Sequence, residues 1–166
     1  MSEEGDFLQR LTMKAYLVQH AQAKPEAEDP ERHLTDSGNA ALCRVAGYAS
    51  QYANLKVRQI LHSGKTRARQ TASILDSYLN PPEGVEPTDG LNPNDDPAVW
   101  AKRLASQAED LMLVGHLPHL SRLASLLLCD DAHAKLIEFQ MGGIVCLKRD
   151  AEGHWAVGWM LVGEVV

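Results

Sequence analysis

The chain has 166 residues and a mass of 18.2 kDa, a length that suits one domain around one hydrophobic core. Hydrophobic residues make up 45% and charged residues 23% of the sequence, which is ordinary for a globular protein and excludes a disordered or collagen-like chain. The net charge of −6 and the pI near 5.6 argue against a nucleic-acid-binding surface, because a phosphate backbone selects for clustered Lys and Arg.

The cysteines and the first residues indicate the cellular compartment. Three cysteines without a C-x-x-C pair indicate neither a disulfide framework nor a thiolate zinc site. Residues 1–12 are acidic where a signal peptide needs a basic start, and no later stretch is apolar enough to span a membrane. We therefore expect a cytoplasmic protein with no membrane partner. Residues 1–12 are predicted to be an N-terminal extension that need not be ordered, and residues 13–166 a single domain, with Met13 as an alternative start.

Short apolar runs and amphipathic segments alternate in the first half of the chain. The run 15–18 is continuously apolar, as is typical of a strand buried on both faces of a parallel sheet. Thr35 can cap a helix with apolar residues three and four apart, namely Leu42, Val45, Ala46 and Ala49. A second strand is predicted over 57–61. The helix after it has an apolar stripe made of Ala68, Thr71, Ala72, Leu75 and Leu79.

The middle of the chain begins with a segment rich in proline and glycine. Residues 80–97 predict an irregular connection with at most a short strand near Val85. Asp96 and Pro97 suit the cap and the first position of a helix. The apolar residues of that predicted helix are Trp100, Leu104 and Ala108.

The last third of the chain repeats the strand and helix pattern and ends in a hairpin. The apolar run 111–114 predicts a buried strand, followed by a helix through Leu123 and Leu127. The runs 144–148 and 155–161 flank a turn-rich link and predict an antiparallel hairpin at the sheet edge. The alternation predicts an α/β fold, a three-layer αβα sandwich with a mostly parallel sheet.

Polar groups follow three of the predicted strands. Ligands of open α/β sheets bind beyond the carboxyl ends of the strands, where loops and helix N-termini meet. The sequence places Gln19 and His20, the segment 62–67, and Gly115 with His116 at these ends. Two imidazoles, an Arg and loop amides near helix N-termini form an anion site that contains a nucleophile.

Three motifs in this order resemble the histidine phosphatase superfamily, and specifically its SixA-like phosphohistidine phosphatase branch. Residues 63–71 contain the complete Ser-x-x-x-Arg-Ala-x-Gln-Thr motif, and residues 115–118 contain Gly-His-x-Pro. Residues 19–21, Gln-His-Ala, keep only the His of the family's Arg-His-Gly. Residues 32–35, Arg-His-Leu-Thr, resemble the family's entry into the first helix. The resemblance extends from Lys14 to about residue 161 and implies a phosphoglycerate mutase-like fold.

The resemblance also implies the chemistry. His20 would be the nucleophile that becomes phosphorylated, Arg67 would clamp the phosphoryl oxygens, and His116 would stabilise charge on them. Gln19 would add to the phosphate-binding groups. A neutral imidazole is a competent nucleophile near pH 7, and Arg binds phosphate through two hydrogen bonds at once. We expect a hydrolase that needs no cofactor and no metal, with a phosphohistidine-bearing protein, such as a phosphorelay component, as its substrate.

Two residues of the first motif depart from the family pattern. Gln19 in place of Arg removes one positive charge and leaves a neutral amide donor, and Lys65 or Lys24 could compensate. Ala21 in place of Gly adds a methyl group where the backbone approaches phosphate. These departures keep open a pseudo-enzyme that binds phosphate or phosphoprotein without turnover.

A general acid is not evident from the sequence. The loop after the third strand offers three candidates, Asp89, Asp95 and Asp96. An imidazole leaving group needs less help than an alkoxide, because its protonated form has a pKa of about 6.5. This favours a protein phosphohistidine phosphatase over the alternative, a phosphatase for a small phosphate ester. His116 and His119, three residues apart, are a weaker candidate for a metal-binding pair.

Overall fold

The computed structural model describes residues 12–166, so the predicted N-terminal extension lies outside the described residues except for Thr12. A six-stranded sheet forms the middle of this part of the chain. The strands are β1 (Met13–Gln19), β2 (Gln59–His62), β3 (Val85–Pro87), β4 (Leu111–Gly115), β5 (Ile144–Arg149) and β6 (Trp155–Leu161). Their order in the sheet is β3-β2-β4-β1-β5-β6. The first four strands are parallel, and β5 and β6 form the predicted antiparallel hairpin at one edge.

Helices cover both faces of the sheet. They are α1 (Asp36–Gln51), α2 (Thr66–Leu79), α3 (Pro97–Ala105) and α4 (His119–Cys129), and a short 3₁₀ helix follows at Gly163–Val165. Tyr16 and Val18 of β1 pack against α1 and α2, whereas Leu17 packs on the other face against α3 and α4. The predicted three-layer αβα fold with a mostly parallel sheet is thereby confirmed. No helix within residues 12–166 has the length and apolar character needed to cross a membrane.

The predicted helix starts are confirmed by their caps. The hydroxyl of Thr35 accepts a hydrogen bond from the backbone N–H of Gly38 at 3.0 Å, at the start of α1. The carboxylate of Asp96 accepts one from Ala98 at 2.9 Å, and Pro97 occupies the first turn of α3.

Two boundaries differ from the prediction. Strand β2 begins at Gln59, two residues later than predicted, although Val57 is buried by packing. Helix α3 ends at Ala105, so the prediction that Ala108 lies on its apolar stripe is wrong, and Ala108 is exposed. The buried guanidinium of Arg149 donates hydrogen bonds to the last carbonyls of α3 and to Gln107, which satisfies the helix end at this point.

The parallel pairing brings the ends of three strands together. Gln19 lies beside Gly115, and His62 lies beside Val114. The backbone N–H of His20 continues the ladder by donating to Gly115 at 3.0 Å. The loops that follow β1, β2 and β4 therefore start next to one another, as the sequence predicts.

The loop from Ala21 to Thr35 is anchored on α1. Thr35 donates its backbone N–H to the carbonyl of Gln22 at 2.9 Å, and Ala23 forms a β-bridge with Leu34. Gly38 lies against Gln22 so closely that a methyl group there would overlap the Gln22 carbonyl oxygen. The first turn of α1 and the chain just after His20 are therefore in direct backbone contact.

We expect Gly38→Ala to lower the free energy of unfolding by about 1–3 kcal/mol, because backbone must move to admit the methyl group. Gly47→Ala on the same helix is the matched control, since its nearest neighbour would be a Tyr78 ring carbon at 3.6 Å. That control should raise the free energy of unfolding by up to about 1 kcal/mol through helix propensity. Urea denaturation measures both. Equal stability of Gly38→Ala and the parent would contradict the tight contact between α1 and Gln22.

Candidate active site

The His20 ring has a defined tautomer. Its Nδ1 lies 2.7 Å from the carbonyl oxygen of Ala21, and since a carbonyl only accepts hydrogen bonds, Nδ1 carries the proton. Nε2 of the neutral ring then holds the lone pair. The Nε of Arg67 donates to this nitrogen at 3.3 Å. His20 therefore directs an unprotonated nitrogen toward a guanidinium.

The electrostatic surroundings keep His20 neutral. Burial lowers its pKa, the hydrogen bond to Ala21 raises it in part, and the charges of Arg67 and Arg32 lower it further. Burial and the charge of Arg32 also lower the pKa of the Arg67 guanidinium, which still stays charged. A neutral imidazole beside a cation has the protonation state that a nucleophile toward an anionic phosphoryl group requires.

His116 lies beside His20 and pairs with Ser63. The two imidazole ring centres are 5.2 Å apart, and Nε2 of His116 lies 2.6 Å from the Ser63 hydroxyl. Burial lowers the pKa of His116 to about 3, with further lowering by the charges of Arg67, His20 and Lys65. Its Nδ1 is buried without a hydrogen-bond partner among the described residues. The structure thus brings His20, Arg67 and His116 into one cluster, as the sequence predicts.

Motif residues without a role in the sequence prediction support this cluster. The Thr71 hydroxyl donates to the carbonyl of Arg67 at 2.7 Å and accepts from the backbone N–H of Ala21 at 3.0 Å. The Gln70 side chain accepts from the backbone N–H of Leu34 at 2.8 Å. Both residues belong to the 63–71 motif, so the sequence marks them as part of the candidate site. Only the fold reveals which backbone groups their side chains contact.

The start of α2 faces the same region. Lys65 precedes the helix and makes no side-chain cap, and Arg67 belongs to the first turn. The first N–H groups of a helix have no partner within the helix and carry partial positive charge. An α-helix that begins this way beside Arg67 favours the binding of an anion.

Gln19 and Ala21, the two departures from the family pattern, lie on either side of His20 in the chain. The Gln19 Oε1 is buried with no hydrogen-bond partner in the described part of the chain. The methyl group of Ala21 packs in the core near Gly142 and Leu42. The methyl group that replaces the family's Gly is therefore accommodated in the core.

The three carboxyl groups considered as a general acid all have other partners. Asp89 binds Arg103 through both oxygens at 3.0 Å, and this pair lowers the pKa of the Asp89 carboxyl. Asp95 accepts from the backbone N–H of Asn92 at 2.9 Å, and Asp96 caps α3.

The remaining histidines have structural or surface positions. His33 is held by Asp29 at 2.7 Å, and His62 accepts from the backbone N–H of Gly64 at 3.0 Å. His133 and His154 are exposed. His119 is fully buried, and both of its ring nitrogens lack a partner within residues 12–166.

The metal-binding alternative gains no support from the described residues. No group of three or more His, Cys, Asp or Glu side chains that could hold a metal ion is found between Thr12 and the C-terminus. Nε2 of His116, one of the two proposed ligands, is already in contact with Ser63.

Solved structures with this fold were found by structural comparison. The protein histidine phosphatase SixA in complex with tungstate is 22% identical with a TM-score of 0.81, over 92% of this chain and 99% of that one. A SixA-type protein of Agrobacterium tumefaciens is 26% identical with a TM-score of 0.71, over 90% and 97% of the two chains. A phosphoglycerate mutase of Plasmodium falciparum is 20% identical with a TM-score of 0.67, over 89% of each chain.

Sequence comparison alone does not find these relationships, since no protein-family model and no curated protein matches the chain significantly. The structural matches confirm the predicted resemblance to SixA-like and phosphoglycerate mutase-like histidine phosphatases.

The lowered pKa of the buried imidazoles predicts how stability depends on pH. The unfolded chain binds protons at His116 near pH 6.5, whereas the folded chain does so only near pH 3, so the unfolded state binds more protons between these values. The free energy of unfolding should reach its full value above about pH 6.5. It should fall as the pH drops, by up to about 1.4 kcal/mol per pH unit for one such histidine.

Urea denaturation between pH 3.5 and 7.5 measures this slope for the parent and two variants. His116→Gln should reduce the slope by the contribution of one histidine, because His20, His62 and His119 also have lowered pKa values. The exposed control His133→Gln should leave the slope unchanged. A parent whose stability is independent of pH across this range would contradict the neutral, buried state of the imidazoles.

Proposed function

Because the chain has the fold of SixA-like histidine phosphatases, we propose that it is a phosphatase that works through a covalent phosphohistidine on His20. The observation that carries the proposal is the geometry of His20, whose Nδ1–H is bound by the Ala21 carbonyl while Nε2 faces Arg67. The proposed enzyme works as a single cytoplasmic domain over residues 13–166, with no cofactor.

The reaction has two displacement steps at phosphorus. The Nε2 lone pair of His20 attacks the phosphorus, and the bond from phosphorus to the leaving group breaks with its electron pair. Water then attacks the phosphorus of the phosphohistidine, the N–P bond breaks, and inorganic phosphate leaves as His20 returns to its neutral form. A proton that water loses goes to the phosphate or to solvent.

Arg67 and His116 are proposed to hold the phosphoryl oxygens during both steps. Arg67 is charged and already lies 3.3 Å from the reacting nitrogen, so it can neutralise the transferring group without moving far. His116 is neutral in the empty site, and an anionic phosphoryl group nearby would raise its pKa and favour a shared proton. Gln19, at the end of β1 beside His20, is proposed to add a neutral and therefore weaker hydrogen bond.

The proposed substrate is a phosphohistidine on a protein, such as a phosphorelay component. Asp89 is bound by Arg103, and Asp95 and Asp96 bind backbone N–H groups, and no described hydrogen bond links any of the three to His20, Arg67 or His116. The imidazole released from a phosphohistidine has a conjugate-acid pKa of about 6.5, and it departs as a neutral molecule once its other ring nitrogen carries a proton, which solvent supplies near neutral pH. The site therefore suits phosphohistidine better than a simple phosphate ester.

The test incubates the protein with a ³²P-phosphohistidine protein and, in parallel, with p-nitrophenyl phosphate. We expect release of phosphate from the first substrate, a slow reaction with the second, and transient acid-labile, base-stable label on His20. His20→Ala should lose turnover and label together, because no other nucleophile lies at the end of β1. His133→Ala, an exposed histidine, is the matched control and should behave like the parent.

Three outcomes would correct the proposal. Faster turnover of the ester would identify a small-ester phosphatase. Tight binding without turnover would identify a pseudo-enzyme. Substantial activity of His20→Ala would show that the covalent intermediate does not form on this residue.

We expect activity to survive chelation. Arg67, His116 and the N-terminus of α2 are proposed to supply the positive charge that a metal ion would otherwise provide. Turnover measured after dialysis against EDTA should equal that of the untreated protein. Loss of activity with recovery upon addition of one divalent cation would instead favour the pair of His116 and His119 as metal ligands.

A further inference from the structure

We propose that the chain has a second binding site, a cleft at the end of the sheet opposite His20, and that this cleft binds an aromatic anion. The inference goes beyond the proposed function, because the cleft contains no residue of the catalytic cluster. The evidence comes from the position and size of the cleft, from the charges on its walls and from the strand register that brings two lysines together.

The cleft lies at the end of the sheet where the parallel strands begin. It has a volume of about 910 Å³, and it is lined by the starts of β1 and β6, the end of β5 and the segments before β2 and β4. Pockets that bind small molecules measure roughly 300–1,000 Å³. Met13 in the cleft and Gln19 next to His20 are the two ends of β1, and a strand of this length spans roughly 20 Å. The cleft is therefore separate from the candidate active site and large enough for a small molecule.

Part of the wall of the cleft is apolar. It includes the buried side chains of Met13 and Val57, the exposed ring of Pro82 and the half-buried ring of Trp155. Trp155 also packs against the core on the side of α3 and α4. Aromatic rings interact with one another more favourably than their buried area alone explains. A tryptophan on the wall therefore favours a ligand with an aromatic part.

The charges on the wall are mostly positive. Five of the lining residues are Lys or Arg and three are Asp or Glu, although the net charge of the whole chain is −6. All three carboxylates have donors already. Glu109 is paired with Arg58 at 3.7 Å, and Asp110 accepts from the backbone N–H of Lys14 at 2.7 Å. Asp150 accepts from two backbone N–H groups of the turn that follows it. The cleft is therefore a locally positive region.

Three lysines supply positive charge that no described acid neutralises. Lys14 of β1 and Lys148 of β5 lie directly opposite each other in the antiparallel register. Like charges at such positions destabilise a sheet. Lys56, in the segment before β2, lines the same cleft. Within residues 12–166 no carboxylate lies at ion-pair distance from these lysines. An anion bound between Lys14 and Lys148 would relieve their repulsion.

The strand geometry indicates how a ligand would be oriented. Successive residues of a strand point to opposite faces of the sheet, so Met13 and Arg149 point away from the face that carries Lys14 and Lys148. Trp155 lies opposite Arg149 in the register and shares its face. The cleft therefore passes around the end of the sheet. A ligand in it would place its anionic group at the two lysines and its aromatic part toward Trp155.

The test uses 8-anilino-1-naphthalenesulfonate, a probe with aromatic rings and one sulfonate, in isothermal titration calorimetry with the full chain. We expect one binding site. Lys14→Gln and Lys148→Gln should each weaken binding by roughly 2- to 5-fold, the effect of losing one solvent-exposed charge pair. Lys102→Gln is the matched control, because Lys102 is exposed on α3 outside the cleft, and it should leave the dissociation constant unchanged.

Salt provides a second signature of the two lysines. Raising NaCl from about 20 to about 500 mM screens exposed charges, so the parent should bind the probe less tightly at the higher concentration. The double variant Lys14→Gln/Lys148→Gln should lose less affinity over the same range. An equal loss in the parent and the double variant would contradict a role for these lysines.

A variant that fills the cleft tests the site without changing its charge. Ala108 is exposed and lines the cleft, so Ala108→Trp should weaken binding by roughly 10-fold or more and leave the urea denaturation curve like that of the parent. Saturation with orthovanadate, an anion expected to bind at His20, should leave the affinity for the probe unchanged, because the cleft lies at the other end of the sheet.

The outcomes separate this inference from the proposed function, since none of these measurements depends on turnover. Lysine variants and an Ala108→Trp variant that all bind the probe as the parent does would overturn the site. Displacement of the probe by vanadate would assign it to His20 and would overturn the site as well.

The competing occupant of the cleft is the start of the chain itself. Glu3, Glu4 and Asp6 precede Thr12, which lines the cleft. If the variant Glu3→Gln/Glu4→Gln/Asp6→Asn bound the probe about 10-fold more tightly than the parent, this acidic segment would be the occupant, and the assignment of the cleft to a separate aromatic anion would be overturned. An affinity within about 2-fold of that of the parent would support a separate ligand.

Discussion

The hydrogen bond between the His20 ring and the carbonyl of Ala21 is the interaction on which the proposed chemistry depends. It fixes the tautomer and therefore decides which nitrogen holds the lone pair that the proposed reaction uses. The Ala21 backbone is held in turn by Thr71 of α2, and the adjacent Gln19 carbonyl accepts from the backbone N–H of Gly142. The backbone N–H of His20 also donates to the carbonyl of Gly115 in β4. The orientation of this imidazole therefore depends on α2, on the sheet and on the segment just before β5.

The site is locally positive within an acidic chain. The net charge of the whole sequence is −6, so the net charge of the chain does not favour the approach of an anionic substrate. Short-range donors have to hold it. Burial lowers the pKa of His20, and the charges of Arg67 and Arg32 lower it further, so this imidazole is neutral. A neutral imidazole beside a cation suits the phosphoryl transfer of the proposed function.

Much of the fold and of the proposed site could be predicted from the sequence, and the parts that could not depend on distant contacts. The strand over 15–18, the Thr35 cap and the Asp96 cap are local patterns, and they were predicted correctly. The end of α3 could not be predicted, because it is bound by Arg149, which lies 44 residues beyond Ala105 in the chain. The hydrogen bond between Ser63 and His116 joins residues that are 53 positions apart. The sequence contains both motifs but no pattern that predicts this contact.

The partners of the candidate carboxyl groups bear on which leaving groups the proposed mechanism can serve. A general acid has to hold its proton near working pH and reach the leaving atom. The pair with Arg103 lowers the pKa of Asp89, so this carboxyl is ionised near neutral pH. An alkoxide, whose conjugate acid has a pKa of about 16 like that of water, would have to leave as a strong base. The conjugate acid of imidazole has a pKa of about 6.5, which is roughly nine units lower. An imidazole can therefore leave near neutral pH with a proton from solvent. In the proposed mechanism, the site therefore favours a leaving group of low basicity, such as imidazole.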